Sequence, residues 1–240
     1  LDLTAETINL NSGTIDTGAG NQTFNGNVLL GAATTVDGAD VTFNGTVDSP
    51  DGFVLGTDTS PVVEKFNFDG SGRTTFITGI AQGVGTGLAF DSAGNVYTGE
   101  NGDDLRKFSP TGVDLGLFAA HDAVGGRVLG LAVDPSGNVF TAIALGSGSQ
   151  DIQGFNSAGI ELFDSVDLEP GANGLDVAIA SNGNVLLAVS SGKVLEVNPL
   201  TGALIGTFVS GLTGTEGVDV DDDGNVYVLN NTGGVNIKKY

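Results

Sequence analysis

Gly130-Leu-Ala-Val-Asp134 and the Gly137-Asn138-Val-Phe140 that follows it form a pattern that recurs along the chain. The leading glycine returns at Gly87, Gly174 and Gly217, so successive copies begin 43, 44 and 43 residues apart. Every copy continues with a Gly-Asn pair and an apolar run. These pairs are Gly94-Asn95, Gly137-Asn138, Gly183-Asn184 and Gly224-Asn225. A fixed period of this length indicates a repeat architecture.

Each repeat also contains a third and, in most copies, a fourth apolar stretch. The third stretch has apolar residues three positions apart, at Val63/Phe66, Leu105/Phe108, Ile152/Phe155, Val194/Val197 and Ile237/Tyr240. The fourth stretch contains a phenylalanine, at Phe76, Phe118, Phe163 and Phe208. Four short strands in about 43 residues are typical of one blade of a β-propeller.

The segments between these stretches have the composition of tight turns. Asp91-Ser-Ala-Gly94 and Asp134-Pro-Ser-Gly137 carry Asp at the first position and Gly at the fourth, as type I turns do. No segment sustains apolar residues at i, i+3, i+4 and i+7, so we expect almost no helix. The sequence therefore predicts an all-β chain.

The repeated motif resembles that of NHL-type and related six-bladed propellers. The resemblance implies a β-propeller over residues 45–240, with about five four-stranded blades and an incomplete last one. The blades are expected at about 45–86, 87–129, 130–173, 174–216 and 217–240. The first repeat fits loosely, at Gly45-Thr-Val-Asp48 and Asp51-Gly-Phe-Val54, and the last ends before a fourth strand. Propellers host enzymes, binding proteins and scaffolds, so the fold alone implies no function.

Residues 1–44 follow a different rule. Thr23-Phe-Asn-Gly26 recurs 19 residues later as Thr42-Phe-Asn-Gly45, and Thr4 lies 19 residues before Thr23. Short strands at this spacing fit stacked coils of a parallel β-helix, and the stretch resembles the repeats of filamentous haemagglutinin-like surface proteins. The alternative is a set of extra strands that pack against the propeller.

The composition excludes several kinds of partner and site. The formal net charge is −21, which disfavours nucleic acid because phosphates need a basic surface. The chain has no cysteine, and no apolar run is long enough to span a membrane as a helix. It also has no methionine, so we expect Leu1 to be a processed terminus or the start of a fragment. We expect no nucleic-acid partner and no membrane insertion.

One acidic loop resembles the first half of a calcium-binding loop. Asp219, Asp221 and Asp223 precede Gly224 with the spacing D-x-D-x-D-G, which places alternate carboxylates around a hard cation. The later ligand positions hold Tyr227 and Asn230, so the closing carboxylate is missing. The sequence therefore predicts either a weak calcium site or an ordinary acidic turn, and no other cofactor.

The segments leading into the first strands are expected to surround one mouth of the propeller. Asn173 and Glu216 precede repeat glycines there, and Asp176 lies in the adjacent strand. These three residues are the candidate ligand site, and they resemble the Glu/Asn/Asp metal set of gluconolactonase-like propellers. The rest of that family's pattern is not traceable. His121 is the only histidine, and no nucleophile motif is present, so we predict no catalytic residue.

Two functions from different classes fit these observations. The first is an extracellular or cell-surface structural and adhesive module without catalysis. The strand that completes the last blade is expected from the chain's own N-terminal region or from a continuation past Tyr240. The third alternative is a strand from a neighbouring copy, which would assemble the chains into filaments. The second is a metal-dependent ligand-binding or lactonase-like hydrolytic propeller.

Lys238-Lys239 matches Arg106-Lys107 of an earlier repeat, which predicts a solvated strand face.

Overall fold

The computed structural model of the 240-residue chain is all-β. The part of the chain that the structure describes contains no helix, and hence no helix that could cross a membrane. It comprises residues 2–10, 14–16, 22–30, 35–37, 41–43, 47–48, 53–57, 62–67, 71–80, 87–99, 104–120, 127–144, 151–231 and 236–240.

The N-terminal strands pair in parallel. They are β1 (Asp2–Leu10), β2 (Thr14–Asp16), β3 (Gln22–Leu30), β4 (Thr35–Asp37), β5 (Val41–Phe43) and β6 (Val47–Asp48). Strand β3 pairs with β1, β5 and β6, and β2 pairs with β4. Parallel pairing at a near-constant offset is the arrangement expected when successive coils of chain stack on one another.

The register of these strands agrees with the 19-residue repeat in one place and differs in another. Thr23 pairs with Thr42 and Phe24 with Phe43, as predicted. The equivalence of Thr4 with Thr23 is wrong, because Thr4 pairs with Asn25 and Asn25 Nδ2 donates to Thr4 Oγ1 at 3.2 Å. The first offset is therefore 21 residues, and an irregularity after Thr4 shortens it to 20.

A three-stranded sheet follows, in the order β7 (Phe53–Thr57), β8 (Val62–Asn67) and β9 (Thr74–Thr78). Val47–Asp48, which the sequence pattern assigns to the first repeat, instead forms β6 and pairs with β3. The chain divides into two compact units, one of 1–56 with 63–75 and one of 57–62 with 76–240. The boundary between residues 44 and 45 stays a prediction.

Antiparallel sheets account for the remaining repeats. Three sheets have four strands each, and the last has three described strands. The strands are β10 (Leu88–Phe90), β11 (Val96–Gly99), β12 (Leu105–Phe108), β13 (Asp114–Ala119); β14 (Arg127–Val133), β15 (Val139–Ala144), β16 (Ile152–Phe155), β17 (Glu161–Val166); β18 (Gly174–Ile179), β19 (Val185–Val189), β20 (Lys193–Val197), β21 (Leu204–Val209); β22 (Thr215–Val220), β23 (Val226–Asn230) and β24 (Asn236–Lys239).

Each of these four antiparallel sheets packs face to face on the next one in the chain. The first strands β10, β14, β18 and β22 lie side by side in that order. Buried apolar clusters fill the three spaces between consecutive sheets. The first cluster contains Tyr97 and Val128, the second contains Phe140 and Leu187, and the third contains Leu186. The core is therefore built between sheets, which makes each sheet dependent on its neighbours.

The first hairpin of three repeats has the same backbone and side-chain hydrogen bonds, which confirms their predicted equivalence. In the hairpin at Asp91, the N–H of Gly94 donates to the Asp91 carbonyl, and Asn95 donates its backbone N–H and Nδ2 to the two carboxylate oxygens at 2.9 and 2.8 Å. Asp134 with Asn138, and Asp221 with Asn225, repeat this arrangement, which we call the Asp–Asn turn.

The neighbours of the Asp–Asn turn explain the repeated lysines on the third strands. Lys107 Nζ lies 3.2 Å from Asp91 Oδ2 and 4.8 Å from the centre of the Tyr97 ring, and its side chain is only 24% exposed. The prediction of a solvated face is therefore wrong for Lys107. In the last sheet Lys239 lies over the Tyr227 ring in the same way, but its side chain remains more exposed.

Candidate ligand-binding depression

An open depression of about 530 Å³ lies where the first strands β14, β18 and β22 run side by side. Among the described residues it is lined by Leu129, Leu175, Asp176 and Glu216. Leu129 and Glu216 occupy the position just before a repeat glycine, and Asp176 lies two positions after one. The depression therefore combines two carboxyl groups with two leucine side chains.

Asp176 owes its position to both its own strand and the next one. Its Oδ1 accepts a hydrogen bond from the N–H of Val177 at 2.9 Å, and its Oδ2 accepts one from the N–H of Val218 at 3.0 Å. Burial raises the pKa of Asp176 to about 6, against the lowering effect of these two hydrogen bonds, and the nearby charge of Asp219 raises it further. The carboxyl group can therefore gain or lose a proton close to neutral pH.

A glycine in the preceding sheet makes room for this carboxyl group. A Cβ added to Gly130 would lie 2.6 Å from Asp176 Cα and 2.9 Å from the backbone nitrogen of Val177. Atoms in proteins do not approach so closely without displacement. The repeat glycine thus permits the close approach of β14 to β18, where earlier repeats carry Ala89 and Ala132 in place of the aspartate.

Glu216 and Asn173 differ in their relation to the depression. The exposed Glu216 lines it, and its Oε1 accepts a 2.5 Å hydrogen bond from Asn231 Nδ2. Asn173 is not among the described lining residues. Its backbone N–H donates to Ser190 Oγ at 2.9 Å, and its side-chain oxygen is buried without a hydrogen-bond partner. The structure thus brings together two of the three candidate ligand residues.

In the acidic loop at Asp219, Asp221 and Asp223, the central carboxylate accepts the hydrogen bonds that stabilise an Asp–Asn turn. Asp221 accepts hydrogen bonds from Asn225 and from the Tyr227 hydroxyl at 3.0 Å, and Asp219 Oδ1 accepts the N–H of Val220. No group of three His, Cys, Asp or Glu side chains within the described ranges is arranged to hold a metal ion. Calcium binding by this loop stays a prediction.

Three further residues are His121 and the two leucines that line the depression. His121 lies outside the described residues. Leu129 was visible in the sequence as a residue before a repeat glycine, whereas Leu175 occupies an apolar position that every repeat shares. Nothing in the sequence distinguishes Leu175 from the buried residues of its strand.

Comparison with solved structures gives many similar chains, of which three serve as examples. A streptogramin B lyase matches with a TM-score of 0.62 and 15% identity, over 79% of this chain and 65% of that one. Virginiamycin B lyase from Staphylococcus aureus matches with 0.58 and 14%, over 79% and 66%, and a protein of unknown function from Bacteroides caccae with 0.54 and 18%, over 78% and 71%.

The chain contains a β-propeller. Its consecutive four-stranded sheets and these neighbours agree on that fold. The chain spans 65% of the streptogramin B lyase chain, and identities of 14–18% support the fold alone. No family model matches the sequence, and no curated protein does. The resemblance of residues 1–44 to haemagglutinin-like repeats stays a prediction.

Proposed function

We propose that this protein is a ligand-binding propeller whose site is the depression lined by Leu129, Leu175, Asp176 and Glu216. The observation that carries the proposal is the convergence of two carboxyl groups and two leucines from three neighbouring strands on one open cavity. Ligand pockets characteristically combine apolar walls with a few polar groups that fix orientation.

The charges in the depression favour a cationic ligand with an apolar part. A carboxylate has about four acceptor sites, and the hydrogen bonds of Asp176 and Glu216 use only some of them. The net charge of −21 adds a long-range attraction for cations. An ammonium group between the two carboxylates and a hydrocarbon group against the leucines would satisfy both halves of the site.

Titration with benzylammonium tests this proposal, with benzoate as its anionic counterpart. We expect benzylammonium, followed by calorimetry and by circular-dichroism melting, to bind and to raise the Tm, and benzoate to do neither. Glu216→Gln should weaken the binding. Asp219→Asn is the matched control, because Asp219 lies on the same strand as Glu216, follows a repeat glycine by two residues as Asp176 does, and does not line the depression. Equal binding of both ions, or equal loss in both variants, would contradict the proposal.

The pH dependence of binding provides a second readout. A cation needs the ionised form of Asp176, so the affinity for benzylammonium should fall as the pH falls through about 6. In Asp176→Asn this part of the pH dependence should disappear. Binding that strengthens on acidification would exclude a cation-binding role for this carboxyl group.

A catalytic version of the same site is the second candidate. A carboxyl group with a pKa of about 6 is suited to accept a proton from a bound molecule near neutral pH. Two similar structures are named as lyases, and a metal-dependent, lactonase-like hydrolytic propeller was the alternative function that the sequence left open. Incubation with a streptogramin B and with a simple lactone, with and without calcium, followed by mass spectrometry, tests both reactions. Turnover that survives in Asp176→Asn would not come from this carboxyl group.

The adhesive, cell-surface function stays a separate prediction. None of the comparisons supports it, and neither extracellular location nor filament formation has support from them. Sedimentation of the purified chain over a range of concentrations tests self-association directly.

A further inference from the structure

The first strands of three consecutive sheets share one irregularity. In β14, Val128 lies opposite Ile143. Gly130 lies opposite the next residue, Ala142, so Leu129 between them has no partner in the register. The registers of β18 and β22 each skip one residue in the same way. One extra residue against two consecutive partners is a β-bulge. We call the three unpaired residues the bulge residues: Leu129, Leu175 and Glu216.

The bulge residues line the depression, and together with Asp176 they are all of its described lining. Val128 and Thr215, which immediately precede two of them, are buried in the core. The strand beneath each bulge therefore packs into the protein while the bulge side chain faces the open space. Bulges re-aim side chains next to functional sites. Such a position can change its side chain without disturbing the core, as a residue that determines specificity must.

Strand pairing also corrects the alignment of Asp176 with the other repeats. Counted from the preceding glycine in the sequence, Asp176 corresponds to Ala132. Paired with the second strand of its sheet, it corresponds instead to Gly130 and Gly217. Its carboxyl group therefore stands where the sheets before and after have no side chain, directly after the bulge residue Leu175. The carboxyl group is thus a feature of this site and not of the repeat.

The bulge residues change from apolar to acidic across the depression. Strands β14, β18 and β22 lie side by side in that order, so Leu129 and Glu216 belong to the two outer strands of the three. The carboxyl group of Asp176 is joined to β22 by its hydrogen bond from the N–H of Val218. A ligand whose ammonium group lies between the two carboxylates therefore extends towards β14, where the described lining carries no charge. A second ammonium group at that end would lose its hydration without gaining a counter-charge.

We propose that the bulge residues determine the ligand class of the depression, and that in this chain they select an amine with one ammonium group and an apolar tail over a diamine. This inference rests on the proposed function, because it concerns the same site. The net charge of −21 attracts a dication more strongly than a monocation. Preference for the monocation must therefore come from the two leucines.

Benzylammonium and para-xylylenediammonium, which carries a second aminomethyl group on the opposite side of the ring, are the probes. Calorimetry at an ionic strength of about 0.15 M screens the long-range charge. We expect the natural chain to bind benzylammonium about tenfold more tightly than the diamine. Leu129→Glu should reverse the preference, because the second ammonium group then meets a carboxylate. Leu175→Glu is a second variant with the same expected change, and circular dichroism checks that each variant is folded.

Arg127→Glu is the matched control. Arg127 is exposed on the same strand as Leu129, but it is paired with Ala144 and is not a bulge residue. Its replacement by glutamate changes the net charge by two, against one for Leu129→Glu, so a preference set by charge alone would shift further in the control. We expect the control to keep the preference of the natural chain.

The outcomes separate this inference from the proposed function. If benzylammonium does not bind the natural chain, both are overturned. If it binds but the diamine binds as tightly, the leucines do not select the ligand. If neither glutamate at a bulge position alters the preference, or if Arg127→Glu reverses it equally, the bulge residues do not determine the ligand class. In these last cases only the binding of an ammonium group in the depression stands.

Discussion

Asp176 Oδ2 accepts a 3.0 Å hydrogen bond from the backbone N–H of Val218, which lies 42 residues further along the chain and in the next blade. The first strands of consecutive blades are therefore joined by a side chain as well as by packing. Because the same carboxyl group lines the candidate site, the geometry of the site depends on the contact between β18 and β22.

Asp176→Asn should lower the free energy of unfolding at pH 7. The amide has one oxygen in place of two, so one of the N–H groups of Val177 and Val218 loses its acceptor, at a cost of about 1–3 kcal/mol. Asp219→Asn should stay within about 0.5 kcal/mol, since Asp219 is exposed. Urea unfolding of both variants measures the difference, and equal losses would show that the bond to Val218 is unimportant.

The effect of Asp176 on stability should also depend on pH. Its pKa is about 6 in the folded chain and near 3.8 in the unfolded one, so the folded state binds the proton more tightly. The stability of the natural chain relative to Asp176→Asn should therefore rise as the pH falls from about 7 to 4, by about 2–3 kcal/mol at most. A flat difference across this range would contradict the raised pKa.

Asp91 should show the opposite pH dependence. Burial raises its pKa, but hydrogen bonds from Asn95, Lys107 and Tyr97 outweigh this and lower the pKa to about 2. The stabilisation relative to Asp91→Asn is therefore complete above pH 4 and is lost as the pH falls towards 2. We expect about 1–2 kcal/mol, reduced for solvent screening. Urea titrations between pH 2 and 6 measure it, and a constant difference would rule out this network.

Much of the propeller could be predicted because its determinants are local. The Asp–Asn turns depend on residues four positions apart, and the repeat glycines mark the first strands. The link from Asp176 to Val218 could not be predicted, since it requires the relative placement of two blades. The sequence did place Asp176 and Glu216 at one mouth, but it could not show that the side chain of Asn173 has a different environment.

The fourth repeat shows why a motif can change while its structure stays the same. It has Ala180 where the others have aspartate, yet the backbone bonds of its hairpin are unchanged. Glu196 on β20 replaces the missing carboxylate and accepts Nδ2 hydrogen bonds from Asn184 at 2.7 Å and Asn182 at 2.9 Å. Leu186 lies opposite Glu196, as Tyr97 lies opposite Lys107. The exchange is invisible within one hairpin because the carboxylate comes from another strand.

This exchange predicts a specific coupling between Ala180 and Glu196. Glu196→Lys alone should cost about 1 kcal/mol, because both asparagine side chains lose their acceptor. Ala180→Asp alone should also destabilise, since it adds a second carboxylate to the same turn. Together the two substitutions recreate the Asp91–Lys107 arrangement, so the double variant should be more stable than the sum of the single effects by about 0.5–3 kcal/mol. Urea unfolding of the four proteins gives the coupling, and strict additivity would refute the equivalence.

The last prediction concerns the close approach of β14 to β18. Gly130→Ala should destabilise the chain by about 1–3 kcal/mol, because its Cβ would overlap the backbone of Asp176 and force the two blades apart. Gly206→Ala is the matched control: it also lies within a strand, its Cβ would meet no atom within 4 Å, and it should stay within about 0.5 kcal/mol.

The same two variants, Gly130→Ala and Gly206→Ala, also show whether the contact between β14 and β18 affects ligand binding as well as stability. If β14 moves away from β18, Leu129 moves with it, so Gly130→Ala should also weaken benzylammonium binding under conditions where the variant remains folded. Gly206→Ala should bind like the natural chain. Equal stability of the two variants would mean that the blades can separate without cost, and the account of Gly130 as the residue that makes room for Asp176 would be wrong.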